Sequence, residues 1–230
     1  YESSTELSDQ VASDPGGIGF IGLPYVRNAV ALGVAESPQT PAIVPTEFTI
    51  STEDYPLSRR LYFYVPATTS SRTIRDFVQF TLSDAGQAVV EKTGLISQRI
   101  RAEPARIRAG TPPRFEQVTA NAQRLSVSLR FDAVSDRLDN KGVQDIDRIV
   151  AFMKENRQRE LMLLGFTDDS GNPAADLELS RSRARILAQM FIARGLYPAV
   201  ADGFGAALPV ASNDSDAGRR KNRRVEVWIR

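Results

Sequence analysis

From residue 124 onward the sequence becomes a regular succession of strand and helix patterns, and this succession is the strongest constraint on the fold. Leu125, Val127, Leu129 and Phe131 alternate with polar residues, which is typical of a half-buried strand. Residues 161–166 are continuously apolar, as expected of a central strand covered on both faces. The other patterns are two helices and two short strands, at 140–156, 173–194, 200–205 and 225–229. The order β-α-β-α-β-β predicts a two-layer sandwich of the α/β (α+β) class over residues 124–230.

One arginine lies on the unexpected side of the helix predicted at 173–194. At about 100° per residue, Leu179, Ile186 and Met190 form an apolar stripe, and Arg183 falls about 40° from Leu179, inside that stripe. Arg181 and Arg185 project to the opposite, solvated face. A guanidinium held against a core is costly unless an anion pairs with it.

Carboxylates are available on the same side of this helix. Asp176 and Ser180 lie on the face of Arg183, and Asp168 occupies the turn just before the helix. Alone, Asp168 is typical of a turn or a helix cap, and a lone buried arginine is often structural. Together these residues predict the edge of a pocket with fixed charges of both signs.

Composition excludes several classes of function. The 230 residues include 29 basic and 28 acidic side chains, so no global charge attracts nucleic acid or an anionic membrane. Cysteine and histidine are both absent, which excludes structural zinc sites of the usual kind, thiol nucleophiles and serine–histidine triads. Carboxylate or lysine chemistry remains possible, as does no chemistry at all. We predict no metal and no cofactor. No apolar run approaches 18 residues, so no transmembrane segment is predicted in this chain.

The first 98 residues show a different, less regular pattern. Short apolar strands are predicted at 18–23, 29–34 and 60–65, and helices at 3–13 and 72–92. Residues 99–123 contain Pro104, Pro112 and Pro113 and little periodicity, which predicts a linker. The chain begins at Tyr1 without a signal pattern, so we expect it to be a processed or excised piece.

Two further motifs favour ordinary structural interpretations. Residues 17–22 match the glycine spacing of dinucleotide-binding loops, but a Pro-Gly turn precedes them and Pro24 follows, so the required strand–helix context is missing. The basic run 218–224 could bind phosphate, although a solvated loop is the more common meaning of such a run.

Four motifs in the C-terminal half together resemble the OmpA-like peptidoglycan-associated domain (the OmpA/MotB C-terminal family). They are Gly165-Phe-Thr-Asp168, Leu179-Ser180-x-x-Arg183-Ala184, Pro209 with Asn213, and Gly218-Arg219-x-x-Asn222-Arg223-Arg224-Val225-Glu226. The resemblance covers residues 124–230 and implies a peptidoglycan-binding domain that folds and binds on its own, in the periplasm and associated with the cell wall or outer membrane.

The resemblance also implies a ligand and a set of contacts. Asp168 and Arg183 would hold the ammonium and carboxylate of diaminopimelate in the peptidoglycan stem peptide, and Thr167, Asp176 and Arg223 would line the same site. The family usually has asparagine where Asp176 stands, so an extra negative charge is present here.

The first 98 residues resemble the C-terminal part of PstS-type periplasmic phosphate-binding proteins. The residues that support this are Asp14-Pro-Gly-Gly-Ile-Gly-Phe-Ile-Gly, Tyr55-Pro-Leu-Ser-Arg59, Leu61-Tyr-Phe-Tyr-Val65 and Leu82-Ser-x-x-Gly86-Gln87. The resemblance implies a partial periplasmic-binding-protein-like α/β segment, and we expect no phosphate site within residues 1–98 because the family's phosphate loops lie mostly elsewhere.

Three hypotheses of different classes follow. The first is a non-catalytic anchor that binds peptidoglycan and carries a solute-receptor-like module. The second is a phosphate receptor of an ABC transporter, tethered to the wall by its C-terminal domain. The third, an enzyme acting on peptidoglycan, would be distinguished by turnover of purified sacculi.

Overall fold

The computed structural model describes residues 3–108, 110–131 and 137–230. Within them, five strands form one mixed sheet in the order β1-β2-β5-β3-β4. All neighbouring strands are antiparallel except the parallel pair β3–β4. The strands are β1 Ala102–Pro104, β2 Gln123–Arg130, β3 Leu161–Phe166, β4 Val200–Gly203 and β5 Arg224–Ile229. The predicted α/β (α+β) class is therefore confirmed.

Eight α-helices accompany the sheet in the described residues, together with a 3-10 turn at Leu23–Tyr25. Two of them form a layer against one sheet face, and both begin at a polar cap: the side chain of Asp139 accepts from Gly142 N, and that of Asn172 accepts from Ala175 N. The helices are α1 Ser4–Ser13, α2 Glu47–Ser51, α3 Arg72–Leu82, α4 Asp84–Lys92, α5 Pro113–Thr119, α6 Asn140–Glu155, α7 Pro173–Ile192 and α8 Asp216–Asn222.

The main core lies between the sheet and the helices α6 and α7. It joins alternate residues of the strands, such as Leu125 and Val227, to Ile149 of α6 and Phe191 of α7. The alternation that predicted β2 and β5 thus points to this core.

A second core covers the opposite face of the sheet. Phe115 of α5 packs there against Phe166, Phe204 and Trp228, with ring centroids 5.2 to 6.0 Å apart. Residues 99–123, expected to be an irregular linker, therefore contain a strand and a core helix, although residue 109 lies outside the described part. The boundary at residue 124 stays a prediction, but the sheet relies on residues that precede it.

The polar side of β2 is buried rather than solvated. Ser126, Ser128 and Arg130 are each less than 10% exposed. Ser126 Oγ accepts from Arg101 N at 2.8 Å, and the turn after α2 contacts the arginines of the strand. Arg124 Nη1 lies 2.9 Å from Asp54 Oδ2, and Arg130 Nη2 donates to the carbonyl of Thr52 at 2.6 Å. The N-terminal half therefore docks on the sheet through an ionic network.

This network affects the pKa of Asp54. Burial acts to raise the pKa of its carboxyl, but the positive charges of Arg124, Arg224 and Arg130 outweigh burial, so the pKa is lowered. Asp54 therefore remains an anion inside the interface at neutral pH.

Several expectations for the first 98 residues are wrong. Residues 18–23, 29–34 and 60–65 form no strand, and their pairing is limited to an isolated bridge between Val34 and Ile43. Strands need partners to satisfy their backbone groups, and this segment supplies too few. The receptor-like α/β segment is thus not confirmed, and residues 1–2 lie outside the described part.

The single helix predicted at 72–92 is two helices. Ser83 ends α3 and caps α4, with its hydroxyl accepting from Gly86 N at 3.3 Å. A serine favours this capping geometry over a helix interior because its side chain replaces a missing backbone partner.

Candidate functional site

The candidate site forms where β3 ends and α7 passes over the sheet. Thr167 and Asp168 directly follow β3, and Arg183 lies midway along α7. The carboxyl end of β3 and one face of α7 therefore bring sequence-distant charges to the same place.

Glycines let α7 approach the sheet closely enough to do this. A Cβ at Gly165 would lie 2.1 Å from the carbonyl oxygen of Ser180, and one at Gly203 would lie 2.3 Å from Arg181 N. Glycine is therefore required at both positions, because any side chain would push the helix away. The close approach fixes the height of Arg183 above Thr167.

Two consecutive hydrogen bonds fix the position of the chain after β3 relative to α7. Gly205 N donates to Ser180 Oγ at 2.9 Å, and Thr167 N donates to the Gly205 carbonyl at 2.9 Å. Ser180 is fully buried, so these bonds are shielded from water. Ser180 thereby holds the strand end that carries Thr167.

Four of the five predicted site residues form one chain of contacts, which we call the charged cluster: Thr167, Asp168, Arg183 and Arg223. Arg183 Nη1 donates to Thr167 Oγ1 at 3.4 Å, and Thr167 Oγ1 donates to Asp168 Oδ1 at 3.1 Å. The second carboxylate oxygen of Asp168 accepts from Arg223 Nη1 at 2.9 Å. One carboxylate is thus held between a hydroxyl and a guanidinium, with a second guanidinium behind the hydroxyl.

The members of the cluster differ in exposure. Arg183 and Thr167 are buried, at 5% and 2% exposed, whereas the side chain of Asp168 is 23% exposed. Arg183 also lies over the ring of Phe131, at 5.4 Å from its centroid. Asp168 is therefore the group that solvent or a ligand meets first.

Asp176, the fifth predicted residue, acts on the turn instead. It is buried, and its carboxylate accepts from the Ser170 hydroxyl at 2.6 Å and from Ser170 N at 3.2 Å. A carboxylate can accept both bonds without donating, which suits a turn that presents an N–H and a hydroxyl. Asp176 thus shapes the segment between Asp168 and α7.

The basic run 218–224 is not the solvated loop expected from its sequence. It contains most of α8 and the start of β5, and Asn222, Arg223 and Arg224 are buried. Arg224 lies 4.2 Å from the ring centroid of Phe166 and pairs with Glu226 at 2.8 Å. The buried network around the sheet, which a sequence pattern does not show, neutralises these arginines.

Asn222 is a contributor that sequence reasoning did not assign. Its Oδ1 accepts from Val210 N at 2.9 Å and from Ala211 N at 3.1 Å, and its Nδ2 donates to Asn213 Oδ1 at 2.9 Å. Asn213 Oδ1 in turn accepts from Asp169 N at 3.4 Å. The signals in the sequence are its place in the motif of residues 218–226 and an amide inside a basic run, and neither indicates burial by itself.

The faces of α7 also differ from the predicted stripe. Leu179 is 39% exposed, whereas Ser180, Ala184 and Leu187 are buried, so the buried face is rotated toward Ser180. Arg183 lies on the buried side as predicted. Arg181 is not simply solvated, since its Nε lies 3.3 Å from Asp202 Oδ1.

Arg185 is the exposed arginine of this helix. Its side chain is 63% exposed and lies 3.5 Å from Glu178. Such surface pairs contribute little to stability.

Residues 130–223 match the OmpA family. The C-terminal half of the chain contains an OmpA-like domain. Over 86 residues the chain is 34% identical to the peptidoglycan-binding protein ArfA of Mycobacterium tuberculosis, which covers 36% of this chain and 26% of that protein. The crystal structure of the peptidoglycan-associated lipoprotein from Burkholderia pseudomallei matches with 25% identity and a TM-score of 0.42, covering 45% of this chain and 89% of that one.

The chain is also similar to a protein of a different kind. Over 95 residues it is 27% identical to the phosphate-binding protein PstS of Borreliella burgdorferi, covering 41% of this chain and 34% of that protein. The chain spans from about a quarter to about half of the length of the curated relatives that it matches. The activities of those whole proteins can therefore be assigned to this chain only as proposals.

The described residues contain neither a membrane-spanning helix nor a cluster of metal-binding side chains. No helix there has the length and apolar character needed to cross a membrane. Nor does the described part contain a group of three or more aspartate, glutamate, histidine or cysteine residues able to hold a metal ion.

Proposed function

We propose that the OmpA-like domain binds peptidoglycan non-covalently and anchors the protein to the cell wall, with no catalytic step. Support comes from the family match over residues 130–223, which includes the whole charged cluster, and from the similarity to a protein named for peptidoglycan binding. Because peptidoglycan is an envelope polymer, the proposal places the protein in the periplasm, in association with the cell wall or outer membrane.

The ligand group that fits the cluster is the free end of diaminopimelate in the stem peptide. That end bears an ammonium and a carboxylate on one carbon, so it needs an anion and a cation held a short distance apart. Asp168 and Arg183 are such a pair, separated only by the hydroxyl of Thr167. This arrangement is the observation on which the proposal depends.

Asp168 keeps room for a ligand although Arg223 contacts it. An ionised carboxylate offers about four acceptor positions, and the described contacts occupy one on each oxygen. A ligand ammonium can therefore add to Asp168 without displacing Arg223. The ligand carboxylate would then be bound by Arg183, whose planar guanidinium suits two-point recognition.

A comparison of two wall polymers tests the proposal. Purified protein should sediment with sacculi that contain diaminopimelate and bind at least about tenfold more weakly to sacculi with lysine at the same position, because lysine lacks the side-chain carboxylate. Equal binding to both would overturn the diaminopimelate assignment. No binding to either would overturn the anchor itself.

A second function is favoured by one observation, the similarity to PstS. In that case the protein would be a phosphate receptor of an ABC transporter and the OmpA-like domain its tether. Titration calorimetry of the 230-residue chain with inorganic phosphate separates the two functions. We expect no binding, and a one-to-one micromolar site would favour the receptor.

A further inference from the structure

One contact joins the N-terminal half to the loop that supports the charged cluster. Glu36 Oε1 lies 2.8 Å from Lys221 Nζ, and Glu36 Oε2 accepts from Ser212 N at 3.2 Å. Both side chains of the ion pair are largely shielded, at 21% and 18% exposed. An ion pair in this setting is less screened by water and salt than a surface pair.

The loop around Glu36 is itself fixed by hydrogen bonds. Val34 and Ile43 exchange two backbone bonds of 3.0 Å, and Ser37 N donates to Thr40 Oγ1 at 3.0 Å. Glu36 therefore projects from a defined turn, and its position does not depend on Lys221 alone.

Both partners of Glu36 lie in residues 212–223, the segment that supports the charged cluster. Ser212 precedes Asn213, which accepts from Asp169 N, and Lys221 lies two residues before Arg223. Within this segment, α8 packs closely against the loop before it, since a Cβ at Gly218 would lie 1.9 Å from the carbonyl oxygen of Ser212. The carboxylate of Glu36 binds both Ser212 and Lys221, and it therefore restrains their neighbours Asn213 and Arg223.

We propose that Glu36 is a positioning residue of the peptidoglycan site, acting from outside the OmpA-like domain. By fixing Ser212 and Lys221, it holds Arg223 in place to orient the carboxylate of Asp168. The N-terminal half then contributes to binding, because it fixes the geometry of the site. This inference rests on the proposed function.

The test uses the full 230-residue chain and diaminopimelate-containing sacculi. Glu36→Gln removes the charge but keeps the shape, and we expect about three- to tenfold weaker binding with little change in Tm. Lys221→Gln should have the same effect, and the double variant should be no worse than either single variant because the same contact is lost. Lys221→Arg should retain near wild-type binding, since the cation is kept.

Glu6→Gln is the matched control, because Glu6 is an exposed glutamate of the same half. Wild-type binding by Glu36→Gln would overturn the inference. So would additive losses in the double variant, or a fall in Tm with normal binding by the folded fraction. If the wild-type chain does not bind sacculi, the proposed function fails as well, so the two failures are distinguishable.

Discussion

Both halves of the chain contain apolar strand-like and helix-like patterns, but they differ greatly in burial. In the C-terminal half, the apolar strands and helices close around two cores. Between residues 3 and 98, all of them described, Phe48 is the single hydrophobic residue that is buried, and it lies under Arg124 of the other half. Ile18, Val30 and Tyr64 are more than 80% exposed.

This difference shows what an apolar pattern does and does not establish. A pattern identifies the face that is suited to burial, but burial also requires a second surface of matching shape. The strands of residues 124–230 find that surface in α6, α7 and α5, whereas the helix α3 buries none of its residues. The N-terminal half consequently depends on polar contacts with the sheet for its order.

The largest effect should appear in amide hydrogen exchange. Amides of β3 and β5 are expected to exchange only through global unfolding, whereas amides at 60–65 should exchange through small local openings. We expect the free energies of opening to differ by about 5 kcal/mol or more. Protection at 60–65 as strong as in β3 would contradict the comparison.

Removal of an aromatic side chain should have a smaller effect that again separates the halves. Phe115→Ala is expected to lower the free energy of unfolding by about 3–5 kcal/mol, because it opens a cavity among Phe166, Phe204 and Trp228. Phe20→Ala, at a position 79% exposed, should change it by less than about 0.5 kcal/mol. Denaturant titration measures both.

Isolated fragments test how much residues 99–123 contribute to the second core. Residues 124–230 alone would leave the second core without Phe115 and Ala122, so a fragment that begins at residue 99 should be the more stable of the two. Equal stability of the two fragments would show that the second core contributes little.

Asp54 tests the polar contact between the halves. Asp54→Asn should lower the free energy of unfolding by about 3 kcal/mol at neutral pH, because it removes a buried negative charge that Arg124 and Arg130 share. Asp76→Asn, in the exposed pair with Arg72, should cost less than about 1 kcal/mol.

The pH dependence follows from the lowered pKa of Asp54. Burial opposes this shift, but Arg124, Arg224 and Arg130 outweigh it, so the folded pKa lies below the unfolded value of about 3.9. The stabilisation is then complete above the unfolded pKa and is lost as the pH falls through the folded pKa. The difference between wild type and Asp54→Asn should therefore shrink below about pH 4, and a constant difference would contradict this assignment.

Local patterns predicted the C-terminal elements well, and their limits have a common cause. The helices at 140–156 and 173–194 and the strand at 161–166 follow from periodicity along the chain, and the structure confirms them to within two residues. The core role of Phe115 and the buried side of β2 depend on contacts between distant segments. No periodicity within a single segment indicates such contacts.

The candidate site shows the same division. Thr167, Asp168, Arg183 and Arg223 were expected from the family resemblance, and the structure brings them together. The roles of Asn222 and Glu36 depend on long-range hydrogen bonds. These roles could not be predicted from the sequence, because a polar residue in a loop is usually exposed.

The last prediction concerns the cluster itself and has the smallest energies. Arg183→Ala and Asp168→Ala should each weaken sacculus binding by about ten- to hundredfold, since a charge-assisted contact is worth about 1.5–3 kcal/mol. The double variant should lose less than the sum, because one ligand group bridges both residues. Arg185→Ala is the matched control on the same helix, whereas Arg181 is less suitable because it contacts Asp202. If Arg183 had only a structural role, Arg183→Ala would lower Tm while the folded fraction bound normally. Equal losses at Arg183 and Arg185 would instead indicate general charge attraction, and the proposed clamp would be wrong.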